Sequence, residues 1–201
     1  RAVDKSVPEY KNPFHPSTYA HFVARKDYRK TYDVYKDDTL LNRQPKKSRK
    51  IFVCLDEQRG QYLVDGLVAM DFPLSSGVKA YPTKTGDYAV ISKKEDHTSN
   101  LYGKMYDAEG KCINYNAEST DPVPEGGRFD GSPMPYWQRL TNAGLGLHVG
   151  KVRRHPVSHG CVRLPRNVAE ILYRQTSIGT PVTIRKTPLP VPEAQKVPAV
   201  Q

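Results

Sequence analysis

The chain has 201 residues, 37% of them hydrophobic, and its 31 Lys and Arg outweigh 21 Asp and Glu to leave a net charge of +10. That length allows one sizeable core with appendages and is short for two full domains, and no apolar run is long enough to span a membrane. The charge suits an anionic partner such as nucleic acid, anionic lipid or an acidic polymer, but zinc-finger spacing and RNA-binding signatures are missing, which argues against nucleic acid.

Residues 1–49 are polar, basic and rich in Tyr and Pro, with cations densest at Lys46–Lys50. Tyr19, Phe22 and Val23 lie on one side of a short helix predicted within 17–26, and the whole segment is expected to wrap over the main domain. No signal-peptide h-region opens it, which fits either a preceding export segment that was removed or a chain that is not exported. From Ile51 the pattern changes. Ile51–Leu55 is a short run of β-branched and aromatic residues, the mark of a buried strand. Gln61–Val64 and Leu67–Met70 flank Asp65-Gly66, a two-residue hairpin signal because a type I′ turn needs positive φ at both positions. Further strands are predicted at 87–92, 146–149 and 181–185.

Residues 94–140 carry Pro122, Pro124, Gly126, Gly127, Gly131 and Pro133 and read as a loop-rich insertion, a possible lid. The insertion ends on Tyr136 and Trp137, read either as core anchors or as a wall of a substrate groove. One helix is predicted after residue 165, with Asn167 as its cap, Glu170 completing a capping box, and Val168, Ile171 and Leu172 as its buried stripe. Residues 187–201, with four prolines, read as an extended linker. The pattern lacks βαβ alternation. It predicts a mainly β fold, a β-sandwich-like mixed sheet with one or two short helices and a long loop insertion.

The chemistry gathers around Leu147-His148-Val149-Gly150 and Ser158-His159-Gly160-Cys161-Val162-Arg163. Three cysteines, Cys54, Cys112 and Cys161, are an odd number and do not form a disulfide scaffold. A thiol needs a base to become a nucleophile, and His148, His155 and His159 all lie within thirteen residues of Cys161. His159 shares a face with Cys161 only in extended chain, and a turn at Gly160 breaks that relation. His148 sits on a predicted strand that can run beside the cysteine loop, and His155, beside Pro156, is expected to face solvent. Gly160 permits close substrate approach, and its amide with that of Cys161 can face an oxyanion. Arg163 can grip a carboxylate or carbonyl. Zinc binding by these histidines and Cys161 is the competing reading, although the ligands are not spaced in pairs. No metal or cofactor is expected.

The histidine, the short loop and Ser-His-Gly-Cys followed by a hydrophobic residue and Arg resemble the L,D-transpeptidase catalytic domain, the YkuD family. Phe72–Gly77 and Pro82–Tyr88 support the resemblance, which covers roughly residues 50–186. It implies a β-rich, sandwich-like domain flanked by the 1–49 extension and the 187–201 tail. It implies Cys161 as nucleophile, His148 as base with a backbone carbonyl orienting its ring, and His159 and Gly160 shaping the loop and oxyanion hole. Ser158 and Arg163 would position loop and substrate, with Tyr136 and Trp137 beside them. The implied substrates are peptidoglycan tetrapeptide stems, with a neighbouring stem or a wall-anchored protein as acceptor, in the periplasm or cell wall. Water as acceptor would make the chain an L,D-carboxypeptidase. A non-catalytic wall-binding module is the third reading.

Overall fold

The computed structural model describes residues 10–199. Its first elements are short. Helix α1 (Tyr19–Val23) is capped by the Thr18 hydroxyl, which accepts the His21 amide, and α2 (Asp38–Asn42) by Asp37, which accepts the Leu40 amide. Strand β1 (Tyr35–Lys36) lies between them. Strands β2 (Arg49–Cys54), β3 (Arg59–Val64) and β4 (Leu67–Pro73) follow as a meander. Asp65 and Gly66 take φ of +52° and +79°, the conformation that the Asp-Gly signal predicts for the β3–β4 turn. Then come β5 (Gly86–Ala89), β6 (Ser92–Lys94), β7 (Thr98–Tyr106), β8 (Cys112–Glu118) and β9 (Arg128–Pro133). The chain closes with β10 (Trp137–Arg139), β11 (Gly146–Val149), β12 (Val162–Leu164), α3 (Arg166–Gln175) and β13 (Pro181–Arg185).

Six strands form one sheet in the order β1-β4-β3-β2-β13-β5, antiparallel except where β13 runs parallel to β2. A second sheet has the order β12-β11-β10-β6, with β11 and β12 parallel. The main core lies between these sheets and α3. It joins Ile51, Val53, Phe72 and Leu74 to Leu147 and Leu164, and to Val168 and Leu172 of the helix. The fold is mainly β and mixed, with three short α-helices, one more than the sequence predicts.

The six-stranded sheet is buried on its other face too, which is why Tyr62–Val64 of β3 and Leu67–Met70 of β4 read as continuous apolar runs rather than alternating ones. There Tyr19, Phe22 and Tyr28 of the N-terminal arm pack with Val68. Beneath them lies a wholly buried carboxylate, Asp71, paired with the wholly buried Arg59. Asp71 also accepts from the Tyr19 and Tyr28 hydroxyls at 2.7 and 2.9 Å and from the Gln61 amide at 2.9 Å. Gln61 stands opposite Asp71 across the β3–β4 ladder, so the strand register itself delivers one donor. Burial and the Asp71 charge push both tyrosine hydroxyls above their ordinary range, holding them as donors.

Three expectations are corrected. The 94–140 segment is not irregular: β7, β8 and β9 form a third, antiparallel sheet in the order β8-β7-β9. Its glycines serve close strand contact, since a Cβ on Gly103 would stand 2.0 Å from the Asp130 carbonyl oxygen and one on Gly131 1.9 Å from that of Ser99. The tail is not a free linker over its described residues. Gln195, in a 3-10 turn, donates to the Val68 carbonyl and accepts its amide, capping a stretch of the β4 edge beyond the two β1 pairs. Finally, Asn167 does not cap α3. Pro165 holds the N-cap position without a side-chain bond, and Glu170 pairs forward with Arg174 at 2.6 Å.

Asp71→Asn leaves Arg59 as a buried cation without its counter-charge. It is expected to lower the unfolding free energy by about 3–5 kcal/mol, read from urea denaturation at pH 7. A loss under 1 kcal/mol would mean that the arm and Arg59 do not depend on this charge.

Candidate active site

The parallel β11–β12 pair builds the site. His148 is in register with Arg163, so Cys161, just ahead of β12, enters the same cleft as the histidine. The cleft is a cavity of about 620 Å³ between the second sheet and the three-stranded sheet, whose β7 and β8 supply Tyr102 and Tyr115.

His148 is buried, at 7% exposure. Its Nδ1 lies 2.7 Å from the Val149 carbonyl oxygen. A carbonyl only accepts, so the proton sits on Nδ1 and Nε2 is left as the basic nitrogen. Burial lowers the ring pKa to about 4, with the Arg163 and His97 charges adding to the fall and the Val149 bond opposing it. The imidazole is therefore neutral at pH 7, ready to take a proton. The Cys161 thiol is pushed up by burial, against the opposing influence of the Gly146 amide and the Arg163 charge. Its Sγ–H donates to the Gly144 carbonyl at 3.3 Å. The resting pair is thus thiol and imidazole, not thiolate and imidazolium. Cys54 is completely buried and Cys112 lies on β8 at the far end of the third sheet's first hairpin.

Gly160 has φ +117°, which an L side chain rarely adopts, so the turn before the cysteine depends on glycine. The Ser158 hydroxyl accepts the Gly160 amide at 3.1 Å and donates to the Cys161 carbonyl. Of the two amides expected to face an oxyanion, that of Gly160 is therefore taken. The Cys161 amide meets no acceptor among the described residues. Ser158 is buried and its hydroxyl serves the loop. Thr83, which sequence reasoning missed, ties the same turn from outside: its hydroxyl accepts the Gly77 amide at 2.8 Å and donates to the Gly160 carbonyl at 2.6 Å. Gly77 belongs here as well, because a Cβ on it would lie 2.8 Å from the Gly160 Cα. Only the Ser-Ser-Gly and Pro-Thr-Lys-Thr segments, noted for resemblance alone, pointed toward these two residues.

His159 is exposed and its ring stacks on Tyr102 of β7, centroids 4.4 Å apart, with Tyr81 at 4.8 Å. It joins the cysteine loop to the third sheet. His155 is exposed. Trp137, at 3% exposure, is both core and cleft wall: it stacks on His97 at 4.9 Å and lies 6.0 Å from the His148 ring. Its indole crosses β11 at Gly146, where a Cβ would come within 2.5 Å of it. Tyr136 is a correction. It packs on Tyr173 of α3 and the main core rather than lining the cleft. The Arg163 guanidinium lines the cleft half-buried, held below its usual range by burial. It can receive a carboxylate or a polarised carbonyl. Among the described residues no three His, Cys, Asp or Glu side chains converge as metal ligands, and no helix is long and apolar enough to cross a membrane.

Comparison with known proteins identifies the family and the fold. A probable L,D-transpeptidase 3 of Mycobacterium tuberculosis is 31% identical over 121 residues, 57% of this chain. The chain spans 38% of that relative's length. The catalytic domain of an Enterococcus faecium L,D-transpeptidase superposes with a TM-score of 0.50 at 27% identity, covering 69% of this chain and 98% of that one. An L,D-transpeptidase in complex with imipenem shares the fold, with a TM-score of 0.53 at 20% identity over 69% of this chain and 59% of its own. The YkuD family model, the L,D-transpeptidase catalytic domain, matches residues 48–184, and the chain belongs to that family.

Proposed function

We propose that the chain is a cysteine acyltransferase acting on peptidoglycan stem peptides. The observation that carries this reading is that Cys161 lines the same cleft as a buried, neutral His148 whose Nδ1 is tied to the Val149 carbonyl. Proton transfer from the resting thiol to His148 is uphill, so sulfur attacks as the proton leaves it. The electrophile is the carbonyl of the third residue of a donor tetrapeptide stem. The developing oxyanion is met by the Cys161 amide, and the Arg163 charge steadies it. The proton on His148 passes to the departing amine of the terminal D-alanine, leaving a thioester on Cys161. An amine of a neighbouring stem, or of a wall-anchored protein, then attacks the thioester, His148 takes its proton, and the thiol is regenerated.

The three-stranded sheet serves as a lid over the cleft. Its β7 is held to the cysteine loop by the Tyr102–His159 stack. A closed lid limits water, which favours transfer to an amine over hydrolysis. The +10 charge of the chain suits an anionic wall polymer and supports the reading of an enzyme of the periplasm or cell wall.

Incubation with disaccharide-tetrapeptide and mass analysis is expected to yield 3-3 cross-linked dimer, and no product from either stem would overturn the reading. Imipenem is expected to add covalently at Cys161. His148→Ala is expected to cut turnover roughly 10²–10⁴-fold while His155→Ala retains most of it. A base must be neutral to work, and burial has moved that requirement down to a pH of about 4. The rate at limiting donor should therefore hold from pH 7 down to pH 5 and fall only toward pH 4. An acid limb well above pH 5 would take the role of base away from His148. Tyr102→Ala loosens the lid, and tripeptide should then rise relative to dimer. An unchanged ratio at intact turnover would remove the lid from acceptor choice.

A further inference from the structure

The loop between β11 and β12 carries the nucleophile, yet residues 150–161 contain no helix or strand. Backbone bonds hold part of it: the Arg153 amide donates to the Ser75 hydroxyl at 2.8 Å, and the Val157 and Ser158 amides both reach the Ser76 carbonyl. Between these two attachments stands Arg154, at φ +57°, a left-handed conformation uncommon for a side chain of this kind. Its side chain turns inward. One guanidinium nitrogen donates to the Thr31 carbonyl at 2.6 Å and to that of Tyr28 at 3.3 Å, and the other to the Glu57 carbonyl at 2.8 Å. The Thr31 carbonyl also accepts from Arg59 at 3.1 Å, and Arg59 donates to the Asp33 carbonyl at 2.9 Å.

We infer that Arg154 is a positioning residue for the cysteine loop, and that its anchor is the 28–33 turn of the N-terminal arm, a segment outside residues 48–184 matched by the family. The cost of the arrangement supports it. Two guanidinium groups converge on one carbonyl, and burial together with the Arg59 charge depresses the Arg154 pKa. A strained backbone and a partly buried cation persist only where surrounding contacts over-determine them. Here those contacts are the three carbonyls, which a planar fork can reach at once and an ammonium cannot. The arm is placed in turn by Tyr28, whose hydroxyl bonds Asp71 and whose ring faces the Arg59 guanidinium at 4.9 Å. Two of the three carbonyls that Arg154 reaches, those of Tyr28 and Thr31, therefore come from a part of the chain that never enters the cleft. A displacement of 1 Å in a reacting group can cost about 10²-fold in rate, so the anchor acts on the chemistry through Cys161.

This inference rests on Cys161 being the nucleophile. The test follows imipenem acylation of the full chain by mass spectrometry at saturating probe. The final extent reports how many sites are folded, whereas the first-order rate constant does not depend on that number. Arg154→Ala should lower the rate constant about ten- to a hundred-fold at equal final extent and little changed half-saturating concentration. Arg154→Lys, which keeps the charge without the fork, should recover only part of it. A wild-type rate constant in Arg154→Ala overturns the inference, as does full recovery by lysine, since charge alone would then suffice. If Arg154→Ala does not fold, amide hydrogen exchange over residues 155–161 in Arg154→Lys decides. Faster exchange than in the wild type is expected, and unchanged protection overturns it. A wild type that takes no imipenem would count against the nucleophile assignment, and the exchange comparison still judges the anchor.

Discussion

A carboxylate with no exposure to solvent has to be surrounded by donors, and Asp71 organises the molecule through that requirement. Two of its partners, Arg59 and Gln61, come from the neighbouring strand and cost nothing extra to bring near. The other two are tyrosines of the arm, and they arrive only if the arm folds back over the sheet. Once there, the turn that follows Tyr28 presents backbone carbonyls to two arginines, one from β3 and one from the cysteine loop. Satisfying a single buried charge thus links the start of the described chain, the six-stranded sheet and the neighbourhood of Cys161 in one hydrogen-bonded network.

At the cleft the same physics works in the opposite sense. There burial is not compensated by charge, and it drives both reacting groups to their neutral forms. A stored thiolate would be reactive toward any electrophile. Under the proposed mechanism a neutral pair becomes nucleophilic only when a carbonyl is in place to receive the sulfur, and selectivity would then come from the shape of the cavity and from Arg163 rather than from standing reactivity. The hydroxyls around the turn, Ser158 within it and Thr83 outside it, have their bonds committed to the backbone. They hold Gly160 in its left-handed conformation so that the next amide is left open.

What could be read from sequence was what local chemistry dictates. Asp65-Gly66 announces its turn because few residue pairs tolerate two positive φ values, and β11 and β13 stand at their predicted positions because short apolar runs there are bounded by turn residues. Cys161 and His148 were expected together through motif resemblance, and both line one cleft because of a parallel pairing that periodicity does not reveal. The third sheet was hidden because its glycines, which permit close strand contact, look like loop markers. Gln195 was hidden among prolines. Its role is to stand in for a strand partner at one residue, and no pattern encodes that. The arm's importance to Arg154 was out of reach, because the contacts are to carbonyls, which every residue carries.

The position of β13 has a consequence for how the molecule assembles. Residues 181–185 do not add to an edge; they insert between β2 and β5, bonded to both. Until they are present, β5 has no strand to join and β2 exposes an unpaired ladder along Ile51–Cys54. The large sheet is therefore completed by a pairing that spans about 130 positions of the chain, the kind of contact whose loop-closure entropy slows folding. During synthesis the domain stays open along this seam until almost its whole length has emerged, and a chain shortened by some twenty residues from its end would lose an interior strand rather than a fringe.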